Sequence, residues 1–238
     1  MKAALASAKI VNKDIKHNLR QMEHWMRYAK GYGADIVCFG ETFLQGFDCF
    51  SWDYETDRHV AISTTSVCFM QICELSKTIG IDVLFGYAEL ADDSIYSSCA
   101  LIVAGKLQHN YRRISPNWKD IQKADHHYKE GNEVYVFEYK CKRCSIGLCG
   151  DVWIYPERFA QGEDLLFWPV YVSWSKDEWE MVEKIAYKDH ALKCADKALY
   201  VNSICYDSAW GGAAYFVKGK VNDELPVGKE GLLLVDVD

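Results

Sequence analysis

The sequence predicts an α/β fold: two mixed sheets packed face to face with helices on their outer faces, a four-layer α-β-β-α sandwich. Two observations predict it. Strands and helices alternate through the first third of the chain, the pattern of parallel strands joined by crossovers. Hairpins follow in the middle, and these add antiparallel strands to such sheets. Half of the 238 residues are hydrophobic, enough for one well-packed core. The four prolines form no linker, so residues 1–238 are expected to form one domain.

Each element has its local reason. Ala3–Val11 is apolar and reads as a first strand. From Asp14 to Lys30, Ile15, Leu19, Met22, Trp25, Met26 and Ala29 recur at helical spacing, and Gly31-Tyr32-Gly33 stops the helix. Ala34–Phe39 is a buried strand ending at Gly40-Glu41. A second helix is predicted over His59–Thr78, closed by Gly80, and a third strand over Asp82–Ala88. Ile95–Val103 and Leu107–Arg113 flank Ala104-Gly105-Lys106, a tight hairpin signal. Ile114–Gly131 is polar and irregular, a length of loop that usually carries function. Val134–Tyr139 and Cys144–Leu148 form a second hairpin. Pro156–Gln161 is a short helix with Pro in its first turn, followed by a strand over Asp164–Trp168. A long helix over Ser175–Lys197 precedes strands at Leu199–Cys205, Ala213–Val217 and Gly231–Val237.

Charge narrows the function classes. With 34 acidic against 27 basic side chains, net −7, a nucleic-acid partner is not expected. No apolar run reaches the roughly 18 residues that span a bilayer, and the Lys-containing start is unlike a signal peptide. A soluble, cytoplasmic protein with no membrane partner is expected. Its ten cysteines are then read as reduced thiols, mostly small buried hydrophobes. Cys141-Lys-Arg-Cys144 lies near His126-His127 and Cys149, but a structural zinc site needs a second ligand pair of proper spacing. Neither metal nor cofactor is expected.

The chemistry-bearing residues sit at strand ends. In Ser145-Ile-Gly-Leu-Cys149-Gly-Asp151-Val-Trp153, a buried strand runs out at Cys149 into a Gly-Asp turn. A thiol there needs a neighbouring base to become a nucleophile. Glu41 and Arg113 end two other strands, giving a base, a cation and a nucleophile that one crevice could unite. Trp118, Trp153 and Trp174 fall in nearby loops, where they either line a pocket or pack.

These residues stand in runs that resemble the nitrilase, or carbon–nitrogen hydrolase, superfamily. The runs are Phe39-Gly-Glu41-Thr-Phe-Leu-Gln-Gly46, Tyr111-Arg-Arg113, Gly147-Leu-Cys149-Gly-Asp151 with Pro156-Glu157, Tyr128-Lys-Glu-Gly131, and Tyr200-Val-Asn202. The resemblance implies a nitrilase-like sandwich and a thiol-dependent hydrolase of a small amide or N-carbamoyl substrate, with water as second substrate. Glu41 would be the general base and Cys149 the nucleophile forming a thioester. Gly150 would give its backbone N–H to an oxyanion hole shared with Arg113, and Trp153 would support the site. Two positions depart from the family pattern: its Lys aligns with Arg113 and its supporting second Glu with Asp125. Arg keeps the charge but shuttles no proton, so Lys119 is an alternative source of an ammonium. A binding or regulatory protein that kept the pocket is the other functional class this departure permits. A homodimer is the expected assembly.

Overall fold

The structure is a computed structural model that describes residues 1–206 and 208–238. The chain opens with β1 (Lys2–Ser7), β2 (Lys9–Ile10), helix α1 (Ile15–Gly31) and β3 (Ile36–Cys38). After the short α2 (Tyr54–Asp57) come α3 (Val67–Ile79), β4 (Asp82–Ala91), β5 (Ser94–Val103) and β6 (Lys106–Arg112). Then follow β7 (Phe137–Tyr139), β8 (Lys142–Ile146), α4 (Asp151–Ile154) and β9 (Leu165–Val170). A composite helix has α5 (Lys176–Glu178) and α6 (Lys184–Cys194) joined by a π-turn over Trp179–Glu183. The last strands are β10 (Lys197–Asn202), β11 (Ile204–Cys205), β12 (Ala209–Trp210), β13 (Ala213–Val217), β14 (Lys220–Leu225) and β15 (Gly231–Asp236).

Two six-stranded sheets result, ordered β15-β1-β3-β4-β5-β6 and β14-β13-β10-β9-β8-β7. Each has a parallel centre, β1-β3-β4 and β8-β9-β10, flanked by antiparallel strands. The predicted sandwich is therefore present. Both faces of the strands are apolar because both are covered, and period-two alternation sends successive side chains to the two layers in turn. Along β1, Ala3 and Leu5 enter the core between the sheets, while Ala4 and Ala6 face the layer of α1 and α3. The composite helix covers the second sheet, burying Trp179, Tyr187 and Ala191.

Caps set the helix limits. The Asp14 side chain accepts from His17 N, and the Ser66 side chain from Phe69 N. Gly80 closes α3 in the left-handed region at φ +74°. The Ser66 cap corrects the helix predicted from His59: Ile62 instead bridges Glu89 of β4, which holds the preceding segment extended. Two predicted strands are also broken. Ala3–Val11 divides into β1 and β2, and Leu199–Cys205 into β10 and β11. The two-residue pieces β2 and β11 join β12 in a small third sheet. The β5–β6 turn takes left-handed φ at both Ala104 and Gly105, as a tight hairpin requires.

Candidate active site

One strand end organises the site. The β9 carbonyls of Pro169 and Val170 are neighbours; the first accepts from Cys149 N (2.9 Å) and the second from Glu41 N (3.1 Å). Glu41 leaves β3 of one sheet and Cys149 leaves β8 of the other, so β9 holds the two sheets' strand ends together. Gly86 on β4 makes room, because a Cβ there would meet the backbone of Glu41 and Thr42.

Cys149 sits in the turn between β8 and α4 with φ +43°, a strained conformation for a residue with a side chain. Its surroundings hold it there: besides the Pro169 bond, its carbonyl accepts from Trp168 Nε1 at 3.0 Å. A thiol on such a strand–turn–helix corner projects from the sheet rather than lying within it. Sγ lies 3.7 Å from the Tyr171 carbonyl. Burial pushes the thiol up to about 12, the Glu41 carboxylate adds to the rise, and Arg113 opposes it. At rest the proton therefore stays on sulfur.

Glu41 is wholly buried. Its Oε1 accepts from Ser97 Oγ and from Arg113 Nη1, each at 2.8 Å, while Oε2 has no partner among the described residues. Arg113 is buried to 2% exposure, and its guanidinium also donates from Nε to Ser115 Oγ (2.8 Å) and from Nη2 to Asn117 Oδ1. Burial alone would lower its pKa, but Glu41, Cys149 and Asp151 outweigh that and hold it raised. Asp151 fixes the backbone around all of this. Its carboxylate accepts from Tyr111 Oη (2.7 Å), Leu148 N (3.1 Å), Ile114 N (3.1 Å) and Ser115 N (2.7 Å). Burial raises its pKa, against the pull of Arg113.

Among the described residues the Gly150 N–H has no hydrogen-bond acceptor. A Cβ at Gly150 would lie 2.5 Å from Asn117 Oδ1 and 2.6 Å from Arg113 Nη2, so the guanidinium presses against the backbone next to Cys149. The site thus brings together Glu41, Arg113, Cys149 and Gly150.

Other residues singled out from the sequence lie elsewhere. Asp125 is exposed, and its carboxylate accepts from His127 N at 2.9 Å and meets His127 Nδ1 at 3.0 Å. Turn-capping takes it away from Arg113, whose Nη2 is held by Asn117 instead. Lys119 Nζ donates to the Tyr128 carbonyl (2.6 Å) and pairs with Glu130 (2.7 Å), so its charge serves the loop. Trp153 meets Tyr187 and His190 edge-on (5.0 and 3.8 Å), anchoring α4 to α6. Trp118 packs with Phe50, Trp52 and Tyr128, and Trp174 Nε1 donates to Tyr187 Oη (3.2 Å).

Sequence reasoning included Ser97 in the matching run Tyr96-Ser-Ser98 without giving it a role, and missed Ser115 and Asn117, and also Tyr171, whose ring stacks on Phe47 (4.7 Å) while its hydroxyl reaches Asp48 and Ser208. Ser115 and Asn117 follow Arg113 at i+2 and i+4, but small polar residues in a loop carry no period that marks them. All ten cysteines are free thiols. Among the described residues, the one His/Cys/Asp/Glu grouping tight enough for an ion is the surface trio Asp125, His126 and His127, which includes none of the cysteines considered for zinc. No helix is long and apolar enough to cross a membrane, among the described residues.

Comparison with known proteins gives a match to the carbon–nitrogen hydrolase family over residues 2–194. The chain is 24% identical over 144 residues to the glutamine-dependent NAD(+) synthetase of Thermotoga maritima, covering 59% of this chain and 24% of that protein. It is 26% identical over 126 residues to an arylacetone-specific nitrilase of Alcaligenes faecalis, covering 49% and 35%. The matched stretches thus span about a quarter to a third of those relatives. Among solved structures, an amidase from Nesterenkonia sp. superposes with a TM-score of 0.82 at 18% identity, covering all of this chain and 93% of that one. The glutamine-dependent NAD+ synthetase of Acinetobacter baumannii gives 0.79 at 18% identity, covering 98% of this chain and 44% of that one.

Proposed function

The chain belongs to the carbon–nitrogen hydrolase family, and from that premise we propose that it hydrolyses C–N bonds other than peptide bonds in a small primary or N-carbamoyl amide, through a Cys149 thioester. One observation carries this reading. Glu41 is fixed through Oε1 by Ser97 and Arg113, whereas its buried Oε2 has no partner among the described residues. That free oxygen can take a proton, which supports Glu41 as the general base that the resemblance implies.

On this reading the steps run as follows. Glu41 Oε2 takes the thiol proton as Cys149 Sγ bonds to the amide carbon, and the carbonyl electron pair moves onto oxygen. The Gly150 N–H and the Arg113 guanidinium receive that oxyanion. When it collapses, the C–N bond breaks and Glu41 returns its proton to the departing nitrogen. Water then attacks the thioester and gives its proton to Glu41. The second oxyanion collapses, the C–S bond breaks, and sulfur recovers the proton from Glu41.

The test is a panel of small primary amides, N-carbamoyl compounds and nitriles. The carboxamide of glutamine belongs in it, given the glutamine-dependent relatives. Mass spectrometry should find an acyl adduct on Cys149, and Cys149→Ala should abolish turnover; a Cys149→Ala protein with full turnover defeats the mechanism. A second reading, a pocket that binds a metabolite without consuming it, draws on Arg113 standing where the family has Lys. A compound that raises the melting temperature but is never hydrolysed favours it, as does activity gained by Arg113→Lys.

A further inference from the structure

Three side chains hold the Arg113 guanidinium, and only one of them is charged. Glu41 takes Nη1; Ser115 Oγ and the Asn117 carbonyl oxygen take Nε and Nη2. Ser115 is itself fixed, because its N–H donates to Asp151 at 2.7 Å, beside the Cys149 turn. Asn117 Oδ1 and Arg113 Nη2 both crowd Gly150 so closely that no Cβ fits there. The loop after β6 thus grips the cation from the side opposite Glu41 and presses it toward the nucleophile's turn.

We propose that Ser115 and Asn117 are positioning residues: they lock the guanidinium plane against Glu41 and Gly150, and Asn117 does so as a neutral acceptor that adds no second carboxylate beside Cys149. Charge explains the choice of amide over acid. Arg stays protonated at any working pH, so it needs no acidic neighbour to remain a cation. A carboxylate at position 117 would bind Nη2 equally well but would disfavour a negative charge on sulfur. The groups already facing that sulfur are Glu41 beyond β3, Arg113 beyond β6, Asp151 on α4, Tyr187 on α6 and Tyr200 on β10. Of these charged and titratable groups Arg113 alone favours thiolate, beside a smaller contribution from the Tyr171 backbone, so moving the guanidinium changes how readily the thiol ionises.

The inference rests on Cys149 being the nucleophile, but its test requires no substrate. The full chain is alkylated with iodoacetamide from pH 7 to 11, and modification of Cys149 is followed by mass spectrometry. Asn117→Asp keeps size and acceptor while adding a charge. It should leave the melting temperature near that of the parent protein, yet slow Cys149 alkylation at a given pH by about tenfold, the equivalent of one pKa unit. Ser115→Ala and Asn117→Ala loosen the cation and should slow it in the same direction. A merely structural role would lower the melting temperature and leave the pH profile in place. An unmoved profile in folded Asn117→Asp overturns the proposal, and if that variant does not fold, an unmoved profile in both alanine variants does so. A shifted profile in a chain that hydrolyses nothing in the amide panel keeps the clamp and removes the hydrolase reading. Turnover with an unmoved profile does the reverse.

Discussion

At the residue scale, the surroundings of Arg113 define what it can do. A buried guanidinium with three side-chain partners is a fixed charge, suited to stabilising an oxyanion and unsuited to carrying protons. Removing one oxyanion donor typically costs about 10²–10³ in rate. Arg113→Ala should lose at least that on any amide the parent protein hydrolyses, Arg113→Lys should lose less, and Lys119→Ala should change little. The alanine variant also strands Glu41 as an unpaired buried charge, worth about 3–5 kcal/mol of stability, so rates are compared per folded molecule. The reverse ranking would move the electrophilic role to Lys119. The pH dependence has a definite sign too. With the Cys149 thiol raised to about 12 by burial and Glu41, its alkylation should still be climbing at pH 10. Free cysteine in the same tube, with a pKa of about 8.5, will have levelled off. A plateau for Cys149 near pH 8.5 would show that the thiol is solvated.

At the scale of elements, what was legible is what periodicity and caps encode. The alternating strands and helices, the Ala104-Gly105 hairpin and the strand ends carrying Glu41, Arg113 and Cys149 all follow from apolar spacing and turn residues. Elements too short for a period were lost: β2, β11 and β12 have two residues each, and the mostly polar β14 lacks the regular alternation of a half-buried strand. The π-turn within the composite helix has no sequence mark either. Polar groups buried at contacts between loops were the other blind spot. Asp57, fully buried, accepts from Ser51 N and Oγ, from Trp52 N and from Tyr128 Oη (2.7 Å). It ties the aromatic loop before α2 to the long loop that carries Asn117. Sequence reasoning chose Asp125 from that same long loop, and Asp125 is exposed. Asp57→Ala leaves several buried donors unmatched and should cost about 2–3 kcal/mol, or on the order of 5–10 °C of melting temperature at this chain length. Asp125→Ala should stay within about 0.5 kcal/mol of the parent protein. Equal melting curves for the two variants would mean that Asp57 does not hold the loops together.

At the scale of the whole molecule, the outer face of the composite helix carries the least expected exposure. Met181 is 75% exposed, Val182 58%, Ile185 53% and Leu192 50%, while the second sheet lies buried beneath the same helix. Ile185 and Leu192 are seven residues apart and share a face. Ile154 on α4 is also exposed, and α4 packs against α6. Some of the charges around this face are paired, Lys184 with Glu180 and Glu224, and Lys188 with Asp189. We propose a homodimer joined through this face, since one exposed apolar patch suits the self-complementary contact of a two-fold axis. Because α4 follows Cys149 directly, such an interface would also brace the nucleophile's turn. Light scattering should give twice the mass of the chain for the parent protein. Ile185→Glu should give the single mass, while Leu107→Glu, a change to an exposed residue on β6 in the other sheet, should leave the dimer intact. A parent protein that runs as a monomer at concentrations of about 10 μM, or an Ile185→Glu variant that stays dimeric, would rule out this face as the contact.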